Sequence, residues 1–236
     1  LLLWGKNAFT EALKSGKSIE KVYLQYGKFF EPEFLRELQR KKIPFQWAKK
    51  SYLKKLSGTE KHQGIVFLLS PISYSDLSSL FKKAFLKRSF FVALDSITEP
   101  QNLGLIARTV ESFGGVGLLL PKKGGAPVNE VALKASSGAL FHLKVCKVDS
   151  LFKGLSSFKE AGGKVYSLET GGEDIRKVSL DLPCALVLGS EGKGIDEEIL
   201  EISDRVLTIP TVGKTPSLNV SVSCAVGVWE LFKRFW

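Results

Sequence analysis

Apolar positions along this chain change their period part-way. In the first seventy residues, short strand-like runs alternate with helical spacing. Asn7–Leu13 has the spacing of a short helix, Lys21–Leu24 that of a strand, and Pro32–Arg40 that of a helix with Phe34, Leu35 and Leu38 on one side. Ile43–Trp47 predicts a second strand, Ser51–Leu56 a short helix, and Gly64–Leu69 a continuous apolar strand. From Ser89 the rhythm becomes a regular α/β alternation. It predicts strands at Phe90–Leu94, Val116–Leu120, Phe141–Val145, Lys164–Leu168, Ala185–Leu188 and Arg205–Ile209. Between them it predicts helices at Asn102–Phe113, Asn129–Ser137, Leu151–Ala161 and Asp196–Ile202. The strands are nearly all apolar, as they are when helices cover both faces of a parallel sheet. A last apolar stretch from Leu218 is too long for one strand and reads as a helix that Ser217 can cap.

Between the two rhythms, Ser70–Lys87 opens Ser-rich and then predicts a short helix, Asp76–Phe85. The expected organisation is therefore a small α/β unit at 1–70, a linker at 71–87 and an α/β domain with a parallel sheet at 88–236.

Charge sharpens this division. Residues 1–94 hold 18 Lys and Arg against 7 Asp and Glu, whereas residues 95–236 hold 16 against 17. A cationic surface confined to one part of a chain is the usual footprint of a polyphosphate partner, because binding releases counterions. Aromatics are interleaved with that charge: Trp4, Tyr23, Tyr26, Phe29, Phe30, Phe45 and Trp47. Most are expected in the core, with some free to stack on bases. Cys146, Cys184 and Cys224 are widely separated in apolar contexts and read as core thiols of a cytoplasmic protein, forming neither a metal site nor a disulfide framework. The leading LLLW is too short for a signal sequence, and the C-terminal apolar stretch carries Asn219, Ser221, Ser223 and Glu230, so it reads as a buried helix and no membrane segment is expected.

Three loops have unusual content, and functional side chains in such sheets collect where the strands' carboxyl ends feed loops. The first is DSITEPQNLGLIAR (Asp95–Arg108), where Asn102 can cap a helix and Arg108 projects from it. The same two residues also read as an ordinary cap and a solvated helix residue. The second is LVLGSEGKGI (Leu186–Ile195), whose three glycines let backbone approach a ligand closely while Glu191 supplies a carboxylate. It matches neither common phosphate-loop fingerprint. The third is IPTVGKTPSLN (Ile209–Asn219), with Lys214, Thr215, Ser217 and Asn219 crowded at the mouth of an apolar scaffold.

In this order and spacing, the three loops resemble the three motifs of the SpoU-type (TrmH-like) ribose methyltransferases of the SPOUT superfamily. The first seventy residues, from WGKNAFTEAL to KHQGIVFLL, resemble that family's ribosomal-protein-like RNA-binding domain. Over its full length the chain resembles the bacterial large-subunit rRNA guanosine 2′-O-methyltransferases. Glu99 stands where the family often has aspartate, and Asn7 where it often has histidine.

The resemblance implies a trefoil-knotted C-terminal domain, S-adenosylmethionine as cofactor, an RNA substrate (rRNA before tRNA), and a homodimer whose sites draw on both subunits. The last helix, with Trp229, Phe232 and Trp236, would suit that interface. Motif by motif, the resemblance implies Arg108, Asn102, Glu191, Ser217 and Asn219 as catalytic residues. It implies Gly189, Ile209 and Leu218 as cofactor-binding positions, with Thr170 and Gly171 after the strand at Lys164–Leu168. No metal is expected, since the cofactor already carries an activated methyl group. His62 lies in the KHQG turn as a candidate RNA-binding residue, and His142 reads as structural. A non-catalytic RNA-binding or ribosome-assembly protein on the same fold is the rival reading.

Overall fold

The computed structural model describes residues 1–14, 18–214 and 217–235, so Thr215, Pro216 and Trp236 lie outside the described residues. The chain divides into two compact units, Leu1–Ser73 (with the segment Pro127–Glu130 grouped to it) and the remainder.

In the first unit four strands form a mixed sheet. They are β1 (Leu2–Trp4), β2 (Ile19–Gln25), β3 (Phe45–Ala48) and β4 (Ile65–Leu69), in the order β1-β4-β2-β3. β4 runs antiparallel to both neighbours, while β2 and β3 are parallel. Helices α1 (Lys6–Lys14), α2 (Pro32–Arg40) and α3 (Lys50–Ser57) cover it. Phe9, Leu38, Val22, Leu24, Phe30 and Phe67 fill a core on one face, and Leu53 and Val66 a smaller one. Pro32 starts α2 where its missing N–H costs nothing, and Gly58 ends α3 in the left-handed conformation. The strand at Leu2–Trp4 has no turn signal before it and was not legible as an element.

In the second unit six parallel strands follow the order β10-β8-β9-β5-β6-β7. They are β5 (Phe90–Leu94), β6 (Gly117–Pro121), β7 (Lys144–Val148), β8 (Lys164–Asp174), β9 (Cys184–Leu188) and β10 (Arg205–Thr208). Helices α4 (Leu77–Lys87), α7 (Leu151–Glu160) and α8 (Glu197–Ile202) pack with Phe91, Ala93, Leu119 and Val187 on one face. Helices α5 (Pro100–Ser112) and α9 (Val220–Phe235) pack on each other and on the opposite face, and α6 (Glu130–Ala135) precedes a single 3-10 turn at Ala139–Phe141. Gly227 lets α9 settle on the sheet, because a Cβ there would lie 3.1 Å from Leu186 and 3.2 Å from Leu168.

Several expectations shift. The short helix expected at Asp76–Phe85 is α4, which runs on to Lys87, is capped by Asp76 and buries Leu80 and Ala84 in the second unit's core. The strand expected at Phe141–Val145 starts three residues later. Gly138, in the left-handed region, winds the chain into the 3-10 turn and leaves Phe141 exposed. Asn102 is not the cap of α5, which starts at Pro100 after Glu99. Ser217 does not cap α9. Asn219 does, its Oδ1 accepting from Ser221 N at 2.9 Å and Ser221 Oγ at 2.6 Å.

Candidate functional site

The carboxyl ends of β8, β9 and β10 open into a cavity of about 780 Å³. Its walls come from Leu168–Thr170, from the loop Leu188–Ile195, from Thr208–Thr211, and from Ser217, Leu218, Val220 and Ser223 at the start of α9. Irregular pairing creates the first wall. β10 pairs with Tyr166 and Ser167, then shifts register between Val206 and Leu207 and resumes opposite Glu173 and Asp174. Residues 168–172 therefore bow out of the ladder. Gly172 sits under the β10 backbone, where a Cβ would meet Val206 O at 2.5 Å.

Two carboxylates hold the glycine-rich loop. Buried Asp95, at the end of β5, accepts from Asp196 N at 2.8 Å. Glu169 accepts from Ile195 N at 3.0 Å and from Thr170 N at 2.9 Å. Within the loop, a Cβ on Gly189 would lie 2.3 Å from Gly194 C and 2.4 Å from its oxygen, so only glycine permits this fold-back. Glu169, Glu191 and Glu197 line the cavity against one ammonium, Lys193, which is itself paired with Asp196. That balance suits a ligand carrying positive charge. Glu169 was missed in the sequence. A usable signal existed, because both clamping carboxylates directly follow an apolar strand end, Leu94-Asp95 and Leu168-Glu169.

At the mouth, three motif side chains meet. Asn219 Nδ2 donates to Asn102 Oδ1 at 3.3 Å and to Glu191 Oε1 at 3.2 Å. Ser217 lines the cavity beside them, with Gly189, Ile209, Leu218 and Thr170. Gly171, at positive φ, turns the bulge and is not part of the lining. Arg108 is not in this cluster. Six residues on along α5, it lies about 120° around the axis from Asn102, on the exposed side with Gln101 and Leu105. Among the described residues its guanidinium makes no hydrogen bond or ion pair.

Buried cysteines supply no rival nucleophile. All three thiols are free, and burial pushes each upward, Cys146 to about 12. His62 is buried, with Nδ1 accepting from Gly64 N at 3.0 Å, so its ring is not presented to a ligand. His142 is exposed, and its carbonyl receives Lys83. No helix among the described residues is long and apolar enough to cross a membrane.

A parallel sheet with a glycine-lined cavity at its carboxyl ends and a polar triad at the mouth defines an α/β domain that binds a nucleotide-like cofactor. Residues 89–229 match the SpoU rRNA Methylase family, and residues 2–75 match the family described as RNA 2′-O ribose methyltransferase substrate binding. The chain belongs to the SpoU family and is an S-adenosylmethionine-dependent RNA methyltransferase.

Among its relatives, YacO of Bacillus subtilis (strain 168), assigned to the TrmH family of tRNA/rRNA methyltransferases, is 34% identical over 98% of this chain and 94% of its own length. The fold is shared with the SpoU methyltransferase AviRb from Streptomyces viridochromogenes in complex with AdoMet (TM-score 0.63, 20% identity, 99% of this chain and 90% of that one). It is also shared with an AdoMet-bound rRNA methyltransferase from Sinorhizobium meliloti (TM-score 0.64, 20% identity, 100% and 87%).

The cavity fits that cofactor. Its size lies within the usual range for a small-molecule site, Leu188, Ile209, Leu218 and Val220 offer apolar surface, and the carboxylate excess matches a sulfonium.

Proposed function

We propose that the protein methylates the ribose 2′-hydroxyl of one nucleotide, a guanosine, in large-subunit rRNA. The observation that carries this reading is the bonded cluster of Asn102, Asn219 and Glu191 at the mouth of the cavity. The match of the first unit to a 2′-O ribose methyltransferase substrate-binding family supports the ribose as target, and the rRNA methylase description of the second supports the RNA class. The resemblance of the whole two-domain chain to the guanosine enzymes supports the base.

A 2′-hydroxyl is a poor nucleophile, so the reaction needs help with negative charge developing on its oxygen. The bound cofactor supplies the activated methyl group. Asn102, Asn219, Glu191 and Ser217 orient the ribose, which is the positioning part of catalysis. Arg108 stabilises the incipient alkoxide, whose proton passes to solvent water as the methyl arrives and the cofactor leaves as the neutral thioether, and grips the neighbouring phosphate; a guanidinium is an electrostatic partner and a poor base. Because Arg108 stands on the exposed side of α5, apart from the cluster, the reading includes a homodimer in which each subunit's Arg108 serves the other's cavity. Exposed Leu105, Val222, Trp229 and Phe235 on α5 and α9 suit that interface, and the knotted threading of the family belongs to the same reading. Three buried free thiols are consistent with a cytoplasmic protein.

Alkaline hydrolysis of RNA labelled from the cofactor tests the target. A 2′-O-methyl blocks cleavage at its own phosphodiester, so label is expected in an alkali-stable dinucleotide. Label released in mononucleotides would place the methyl on a base and overturn the reading.

A further inference from the structure

The first unit carries an aromatic surface that its core does not use. β2 and β3 run parallel and end together, with Leu24 opposite Trp47 and Gln25 opposite Ala48. Just beyond, the turn at Gly27 brings out Tyr26, Lys28 and Phe29. Tyr26 is 70% exposed, Phe29 78% and Trp47 37%. A surface ring is unremarkable singly, but Tyr26 and Trp47 are paired and anchored, and Phe29 follows in the same turn. Trp47 packs on buried Phe30 (ring centroids 5.9 Å) and on Phe45 (6.5 Å), while Tyr26 lies 6.1 Å from it on the outer side. Phe30 in turn stacks on Phe34, and Phe34 packs on Phe9 in the core. Trp47, and Tyr26 through it, are thus tied to an aromatic chain that runs into the core and have less side-chain freedom to lose on binding, while Phe29 stands beside them in solvent.

Cations flank them in the chain. Lys28 lies over Gly64, where a Cβ would come within 2.5 Å of its stem. Lys28 and Lys50 both bear on buried His62, and Lys49 follows β3 directly. Among the described residues none of Lys28, Lys49 and Lys50 forms an ion pair, whereas Lys54 nearby on α3 is taken up by Glu60 at 2.8 Å. Exposed rings beside Lys28 and Lys49, with Lys50 close enough to Glu60 to add to Lys54 in holding that carboxyl below its ordinary value, match the two faces of a single-stranded nucleic acid, its bases and its phosphates.

We propose that Tyr26, Phe29 and Trp47, flanked in the chain by Lys28, Lys49 and Lys50, form a stacking platform for unpaired bases in a loop of the substrate RNA. The proposal rests on the RNA-methyltransferase reading and adds to it which structural class of RNA the first unit selects. A duplex keeps its bases stacked internally and offers phosphates alone; a loop can place its bases on the rings.

The test uses the full chain with cofactor bound. Binding is measured to a hairpin RNA with a purine-rich loop and to a blunt duplex of equal charge. The Y26A/F29A variant removes exposed rings only, so its thermal midpoint and cofactor affinity serve as folding controls. Expected is a loss for the hairpin of roughly 5- to 150-fold per base unstacked, with duplex affinity and salt slope unchanged. A second variant, K28Q/K49Q/K50Q, is expected to weaken both RNAs and to flatten the salt slope by about 0.7 for each phosphate no longer neutralised. Quenching of Trp47 fluorescence by the hairpin, absent in W47F, reports the stacking directly. Equal losses on hairpin and duplex, or unaltered hairpin binding in Y26A/F29A, would overturn the platform and leave a protein partner or a second copy as occupant of the patch. Ring-dependent hairpin binding without methyl transfer to any RNA would leave the platform standing and remove the transfer reading. Normal transfer at saturating RNA with silent rings would do the reverse.

Discussion

Asn219 reaches Asn102 at 3.3 Å and Glu191 at 3.2 Å from a single amide nitrogen, joining its own loop to the first turn of α5, 117 residues away, and to the glycine-rich loop, 28 residues away. Its oxygen meanwhile caps α9 through Ser221. One side chain thus fixes the mouth of the cavity and the start of the helix beneath it. Asn219→Asp separates the two roles, since the carboxylate still accepts from Ser221 but can no longer donate and repels Glu191. The variant is expected to keep its thermal midpoint and to lose turnover by on the order of 10- to 100-fold. Steady-state kinetics beside a melting curve checks this; a melt lowered in step with activity would make the residue structural.

Gly189→Ala places a methyl 2.3–2.6 Å from the backbone of Gly194 and Ile195. Both neighbours are main chain, so the loop must open. Cofactor affinity, measured by calorimetry, is expected to fall about 5- to 150-fold, in line with overpacking penalties of about 1–3 kcal/mol. Unchanged affinity would show that the fold-back does not shape the binding wall.

Arg108→Ala is expected to reduce transfer by about 10²- to 10³-fold, the range for removing one charge-stabilising donor, while cofactor affinity stays within a few-fold. Arg108 lies outside the cavity wall, so a large loss of cofactor binding would contradict its proposed place.

His62 predicts a pH dependence in the first unit. Burial first, then Lys28 and Lys50, hold its pKa below the ordinary 6.5. The folded imidazole stays neutral where the unfolded chain takes up a proton, so stability is complete above about pH 6.5 and is lost as pH falls toward the depressed folded value. The denaturation midpoint is expected to rise between pH 5 and 7. His62→Asn retains an acceptor for the Gly64 amide and should remove that part of the rise; an identical profile in the variant would assign the dependence elsewhere.

The alternation of strands and helices was legible because a parallel sheet covered on both faces demands continuous apolar runs, and Phe90–Leu94 is buried throughout. Cluster residues were legible as loop polar groups at strand ends, and Asn102, Glu191 and Asn219 do meet. The bulge at residues 168–172 was not, because a register shift depends on which strand lies alongside, and β10 is about forty residues away. The standing of Arg108 apart from the cluster depends on helix phase, and α5 begins two residues earlier than the expected cap. Aromatics of the first unit were expected mostly inside. Trp4, Tyr26, Phe29 and Trp47 are instead exposed, since ring hydrophobicity alone does not distinguish a core position from a binding surface.

Single-turnover methyl transfer from labelled S-adenosylmethionine to unmodified large-subunit rRNA and, separately, to tRNA transcripts, with the modified position mapped, decides reaction and substrate together. Label is expected on one ribose 2′-oxygen of a guanosine in the rRNA and none on tRNA. Label confined to tRNA, or on a base in either RNA, would contradict the proposed function.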